Sequence, residues 1–219
     1  MNSLPLKTSP RANGRRGFTL TEILVAIGII AFLAALMMPA VKTMQKKAGA
    51  THCLSNLRQT YSLLMDDVQQ SGELPKAWDE IAQTAWINVK YDNLKAANDS
   101  SYKVLGCPVQ RRALRLPSDA RTYSMNSVIV NTYWNPPPGR LPKYRDPSKI
   151  ALLTDGGVRS SAPNSYNSGV TMDNLPQCIH DGKANIAFMD GHIAALLEKD
   201  IPKGTKPVGT PESIFWLGR

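Results

Sequence analysis

Gly17-Phe18-Thr19-Leu20-Thr21-Glu22 leads directly into the apolar run Ile23 to Val41, and this stretch decides the fold. The run is 19 residues long, carries no charge and holds one proline, Pro39. At about 1.5 Å per residue, a helix of that length spans roughly 30 Å, the thickness of a bilayer core. Before it, residues 1–17 carry Lys7, Arg11, Arg15 and Arg16 and no acid. A basic flank stays on the cytoplasmic side, so the chain beyond residue 41 is expected to face outward. Glu22 is physically out of place, because a carboxylate at the mouth of an apolar segment is costly in lipid unless it finds a partner. Hydropathy alone fits an interfacial Glu in an ordinary signal anchor equally well.

The wording of the stretch separates the two. Arg16-Gly17-Phe18-Thr19-Leu20-Thr21-Glu22 resembles the cleavage and methylation site of type IV prepilins and of the pseudopilins of type II secretion. The resemblance implies cleavage after Gly17 by a dedicated peptidase, and N-methylation of the new terminal Phe18 by the same enzyme. It also implies a Glu fifth in the mature chain, where Glu22 stands, and a Pro at position twenty-two, where Pro39 stands. A secretory signal peptide would instead be cut after its apolar run and lose it. Here the run is retained as a helix.

Removing residues 1–17 lowers the formal charge from +9 to +5, since the leader holds four basic residues and no acid. The mature chain is mildly basic, which permits contact with nucleic acid or acidic lipid without arguing for it. Beyond the helix, roughly 150 residues make one ordinary domain. Cys53, Cys107 and Cys178 include no pair with metal-ligand spacing such as C-x2-C, so no metal site is expected. One disulfide is expected in an oxidising compartment, and the sequence leaves all three pairings open.

The helix is expected to continue past the membrane. Leu54, Leu57, Tyr61, Leu64 and Val68 recur at spacings of three and four, one stripe of an amphipathic helix. Pro39 kinks or loosens this helix rather than ending it, and Ser71-Gly72 with Pro75 stops it. The expected organisation is a cleaved leader at 1–17, a membrane or filament-core helix at 18–41, its amphipathic continuation at 42–71 and a globular domain at 72–219. Trp78, Ile81, Ala82, Ala85 and Trp86 form a short helical pattern with both Trp in the core. Strands are expected near 102–106, 123–130, 149–154, 184–189 and 192–197. Asn135-Pro136-Pro137-Pro138-Gly139 and residues 156–177 read as loops. The last two strands flank Asp190-Gly191, which reads as a type I′ hairpin turn. Ile214-Phe215-Trp216-Leu217 is expected to fold back on the domain.

A second resemblance covers 17 to about 197. His180 and Asp190-Gly191 are separated by nine residues, and this looks like the H-x9-DG signature of pseudopilin-like proteins with the same N-terminus. Cys53-Leu54-Ser55-Asn56-Leu57-Arg58-Gln59 is similar to that family's C-x-x-N-L-[KR]-Q segment, Gly72 to Pro75 to its G-x-L-P helix end, and Cys107-Pro108 to its C-P pair. The long loop at 156–177 and the extra Cys178 depart from the pattern. The resemblance implies a pilin-like α+β fold: one long N-terminal helix packed on an antiparallel sheet. In a filament, Glu22 would meet the terminal amine at Phe18 of a neighbouring subunit.

Three readings compete. The first is a structural subunit of a secretion pseudopilus or type IV pilus-like filament. It would be held single-pass in the inner membrane with its leader cytoplasmic and its C-terminal domain periplasmic. Its partners would be the prepilin peptidase and methyltransferase and other pilin-like subunits, like or unlike; it would have no cofactor and no catalytic residues. The second is a membrane-anchored enzyme or metal protein using His180, Asp155, Asp181 or Asp190. The third is a minor pilin that binds DNA through Arg111, Arg112 and Arg115, although clustered arginines in a loop usually form a solvated face. For His180, Asp190 and His192 a structural role is favoured: Asp190 for the turn, His180 to bond across to the hairpin.

Overall fold

The computed structural model describes residues 18–72, 74–75, 85–118, 120–130, 146–156, 175–204 and 210–217. The leader, Trp78 with Ile81 and Ala82, the triple-proline loop and residues 157–174 of the long loop lie outside the described residues. The chain divides into two compact units, Met1–Gln45 and Lys46–Arg219.

The first helix, α1, runs over Leu20–Ser71 with Pro39 inside it. Pro39 has no N–H to give to the preceding turn. Its own carbonyl accepts a bond from Thr43 Oγ1 at 3.1 Å, and the helix continues. At the far end Gly72 adopts φ +74° and donates its N–H to the Val68 carbonyl at 2.8 Å. A left-handed residue just past the last turn satisfies an orphan carbonyl, and Gly takes that conformation without strain. Within the first unit, the large apolar residues from Phe18 to Met44 are exposed. Within the second, Cys53, Asn56, Leu57, Thr60, Leu64 and Val68 are buried.

The second unit places that buried stripe on a four-stranded antiparallel sheet, so the fold is α+β and pilin-like. The strands are β1 (Tyr123–Met125), β2 (Ala151–Asp155), β3 (Lys183–Phe188) and β4 (Ile193–Leu197), in that spatial order. β3 is buried on both faces, as alternate side chains of a central strand must be when both faces are covered. Ala187 joins Leu57, Leu64, Leu152, Leu153 and Tyr123 in the core under α1. Ala184, Ile186 and Phe188 pack on the opposite side with Ile201, Phe215 and Trp216. The last two belong to a short C-terminal helix, Pro211–Leu217, which folds back as its apolar composition requires. Trp216 is fully buried and donates its Nε1–H to the Pro202 carbonyl at 2.8 Å.

Three local expectations are corrected. Residues 100–105 form a 3-10 helix, Ser100–Leu105, where a strand was expected at 102–106. Asp99 caps its start by accepting from the Ser101 N–H. The carbonyls of this segment are taken by side chains: Val104 by Thr60 Oγ1 at 3.0 Å and Gly106 by Asn56 Nδ2 at 3.0 Å. Between them Leu105 keeps one backbone bond, accepting the Thr122 N–H at 3.3 Å, which is too little for a strand. The bonds to Val104 and Gly106 also explain why polar Asn56 and Thr60 lie in the buried stripe, while Leu54 and Tyr61 are only half-buried at its margin.

The strand expected over 123–130 stops at Met125, and a short helix follows at Ser127–Val130. Asn126 turns the chain. Its Oδ1 accepts from the Val128 N–H at 3.1 Å, while its Nδ2 donates to the carbonyls of Ala151 and Trp216.

The third correction concerns the turns. The β3–β4 register pairs Ala187 with Ile193 and brings Phe188 N–H to the His192 carbonyl. Three residues, Met189-Asp190-Gly191, therefore form the loop. Gly191 N–H donates to the Phe188 carbonyl, and of the three residues Gly191 alone has positive φ, +92°. This is the three-residue hairpin closed by a left-handed glycine, which needs positive φ once, not twice. The two-residue turn with positive φ at both positions lies at the other Asp-Gly pair. Asp181 (φ +52°) and Gly182 (φ +78°) join His180 to Lys183, which exchange both backbone hydrogen bonds at 3.1 Å.

Candidate functional site

Two places carry the residues singled out by the sequence. The first is the start of α1. Gly17 lies outside the described residues, and Phe18 is exposed. Thr19 precedes the first helical residue, and Glu22 stands three residues further on. Glu22 Oε2 accepts from the Thr19 backbone N–H and from Thr19 Oγ1, both at 2.8 Å, and the Glu22 N–H reaches Thr19 Oγ1 at 3.3 Å. This is a capping box: the hydroxyl serves one orphan N–H of the first turn, and the carboxylate reaches back to another. The Thr-x-x-Glu spacing was available in the sequence as a helix-start signal, and Thr19 was not singled out. Within one chain, then, the carboxylate that is out of place in lipid already has two donors.

The second place is under α1 in the other unit. Cys53 and Cys107 are joined by a disulfide with Cα atoms 4.7 Å apart, and Cys178 is left as a free, half-buried thiol. Burial pushes the Cys178 thiol up from its ordinary range, and the carboxylates of Glu198 and Asp155 add to that. Cys107 stands at the end of the 100–106 segment, where Thr122 Oγ1 accepts its N–H at 2.7 Å. Tyr123 Oη donates to the Cys53 carbonyl at 2.6 Å. Burial holds the Tyr123 hydroxyl protonated well beyond the usual tyrosine range, reinforced by the nearby Asp155 and opposed by Arg111.

His180 meets the hairpin through its backbone, at Lys183, and not through its ring as expected. Its ring points inward, with Nε2 3.5 Å from Cys107 Sγ and 3.4 Å from Asp155 Oδ2. Asp155, at the end of β2, is fully buried and accepts the Asn185 N–H on Oδ2 at 2.7 Å. Its Oδ1 has no partner. Burial raises the Asp155 carboxyl, and His180 and Asn185 counter part of that rise.

Asp190 lies at the other end of β3, so the fold does not bring the two ends of the H-x9-D spacing together. Asp190 Oδ1 accepts from the His192 N–H at 3.1 Å and meets His192 Nδ1 at 2.7 Å. Desolvation would raise its carboxyl, but these hydrogen bonds from His192 outweigh it and the group stays below the usual range. The His192 ring stacks on Phe188 at 4.3 Å. Gly191 lies against Tyr61 of α1: a Cβ there would stand 3.1 Å from the ring, while Tyr61 Oη donates to the Met189 carbonyl at 3.0 Å. His180, Asp190 and Gly191 therefore each anchor a different contact of the domain.

Of the three arginines, Arg111 is buried and donates to the carbonyls of Ala120 (2.6 Å) and Lys103 (3.2 Å). It belongs to a short helix, Pro108–Ala113, and ties that helix to residues 103 and 120. Arg112 and Arg115 are exposed.

Residues 12–38 match a family model described as the prokaryotic N-terminal methylation motif. The match takes in Gly17, Phe18 and Glu22 and ends one residue before Pro39. No curated protein and no solved structure matches the chain. The N-terminus is thus of the prepilin type and supports a pilin- or pseudopilin-like precursor. With a helix long and apolar enough to cross a bilayer directly behind it, the chain is consistent with a membrane-anchored protein. The motif implies processing by a prepilin peptidase and association with pilin-like subunits in general.

Proposed function

We propose that the chain is a structural subunit of a type II secretion pseudopilus or a type IV pilus-like filament. The observation that carries this reading is the methylation motif at 12–38 set on the start of a helix 52 residues long, with Glu22 in its first turn. The precursor is anchored single-pass in the inner membrane, leader inside and C-terminal domain in the periplasm. The peptidase cuts between Gly17 and Phe18 and methylates the new amine, which keeps its charge. On assembly the apolar half of α1 leaves lipid for a helical core made with other pilin-like subunits. There the Glu22 carboxylate takes the Phe18 amine of a neighbour, since opposite charges removed from water need each other. No catalytic step is assigned to the chain. The buried positions of His180 and Asp155 suit scaffolding better than turnover, and the inward-facing Arg111 weakens the case for a DNA-binding face.

Mass spectrometry of the mature N-terminus tests the reading. A chain beginning at N-methylated Phe18 supports it, and an intact leader rejects it. Glu22→Val should insert and be cut normally, since it only removes a charge from the membrane. It should fail to enter filaments, because the amine would be buried without a counter-charge at a cost of several kcal/mol. Efficient assembly of Glu22→Val would count against the proposal.

A further inference from the structure

The widely spaced cysteines argue against a metal site in the linear sequence. The fold changes the question. Residues 54 and 73 positions apart are brought together, and Cys53, Cys107 and His180 present ligand atoms within 4.8 Å of one another, all buried. Asp155 Oδ2 lies 3.4 Å from the same His180 Nε2 and stands outside that group of three. We propose that the dithiol form of the chain binds one divalent cation of the zinc class through Cys53 Sγ, Cys107 Sγ and His180 Nε2.

Three observations support this. First, His180 Nε2 stands 3.5 Å from Cys107 Sγ, a distance that suits a hydrogen bond to sulfur and equally two ligands of one ion. Tetrahedral zinc with bonds of about 2.0–2.3 Å sets its ligands roughly 3.3–3.8 Å apart. Second, Asp155 is fully buried beside His180, and its Oδ1 has no partner among the described residues, an arrangement that is expensive in an apolar interior unless a positive charge is nearby. Third, one donor is already oriented by an outer contact. Cys107 Sγ accepts the Gln110 N–H at 3.4 Å, as supported ligands usually do. Two thiolates and an imidazole are a donor set for zinc or cobalt rather than for calcium or magnesium. Three protein ligands leave the fourth position of a tetrahedral ion to solvent.

Disulfide and metal exclude each other, because both use the two sulfurs. A dithiol reductant passes two electrons and two protons to the disulfide, giving two cysteine thiols and the reductant's own disulfide. Binding of the dication then releases both thiol protons and forms two sulfur–metal bonds. The inference is independent of filament assembly, so its failure and that of the functional proposal are read separately.

The test uses the full chain in detergent, reduced by a dithiol, freed of it without air, and titrated with Co2+. Expected are one cobalt per chain, visible bands of a tetrahedral site and a near-ultraviolet sulfur-to-cobalt band, all displaced by Zn2+. The oxidised chain should show none of these, and Cys178→Ser should retain them. Cys107→Ser should lose the sulfur band, and His180→Gln should lose the tetrahedral spectrum. Should either variant fail to fold, alkylation of the reduced wild-type chain decides. Zn2+ should protect Cys53 and Cys107 and leave Cys178 as reactive as before. A reduced wild-type chain with no sulfur-to-cobalt band, a spectrum that survives Cys107→Ser, or alkylation unchanged by Zn2+ would each overturn the site.

Discussion

The two stretches of α1 that are richest in apolar side chains have opposite fates. Ile30 and Leu36 are 65% and 61% exposed, whereas Leu57 and Leu64 are fully buried. Composition does not distinguish a leucine in one stretch from a leucine in the other. Arrangement does. From 23 to 41 apolar residues cover every side of the helix, which suits a solvent of hydrocarbon or of other helices. From 53 to 68 they keep to one stripe, and the stripe carries Asn56 and Thr60 where backbone carbonyls wait for donors. One helix thus holds an apolar surface left exposed by the chain and another already used within it.

That contrast can be broken from either side. The largest effect is expected from Gly17→Leu. A peptidase at the membrane face needs an extended, unobstructed backbone, and only glycine offers no side chain there. The variant should remain an uncut precursor of all 219 residues, read by its intact mass. Next is Leu57→Ala, which empties part of the core and should cost about 2–5 kcal/mol of domain stability. Ile27→Ala is its control in the exposed stretch and should leave the thermal unfolding of the domain where it was. An equal loss from both would erase the distinction between the two stretches.

Gly191→Val should cost roughly 1–3 kcal/mol, because valine is strained at φ +92° and its side chain meets the Tyr61 ring. An unchanged melting temperature would remove the hairpin tip from the contacts that hold α1. The smallest effect is Tyr123→Phe, about 1 kcal/mol for the hydrogen bond to the Cys53 carbonyl. Its signature is in the pH profile. The folded state holds the hydroxyl protonated while the unfolded chain ionises near pH 10. The stabilisation is therefore complete below about pH 10 and lost as pH rises above it. Denaturant titrations at pH 8 and above 10 should show the variant losing less stability than the parent across that interval.

The long helix, its stop at Gly72, β2 and the β3–β4 hairpin were legible because each rests on a local pattern: a spacing, a left-handed glycine, an apolar run. The failures share a cause, which is that a distant partner decided the outcome. Tyr102 to Gly106 has strand-like composition, yet Thr60 and Asn56 of α1 take the carbonyls a strand would need. Asp181-Gly182 and Asp190-Gly191 are the same dipeptide. Strand register, not composition, gives the first a two-residue turn and the second a three-residue loop. Asp155 stood among the candidate residues of the sequence, but its contact with His180, and that of His180 with Cys107, span separations that no local pattern records. Thr19 is the exception: its capping role with Glu22 was local and readable as Thr-x-x-Glu.

The Cys53–Cys107 link also sets a path for mechanical load. A helix that is merely packed on a sheet resists an axial pull by sliding, side chain after side chain. Here a pull on the N-terminal end of α1 meets a covalent bond to Cys107 at Cys53, ahead of Leu57, Leu64 and Val68. Tyr123 grips the Cys53 carbonyl from β1 at the same point. The buried stripe therefore sits behind a clamp and is spared most of the shear. Were the chain drawn from a bilayer by this helix, as the proposed function requires, the load would enter its core at Cys107.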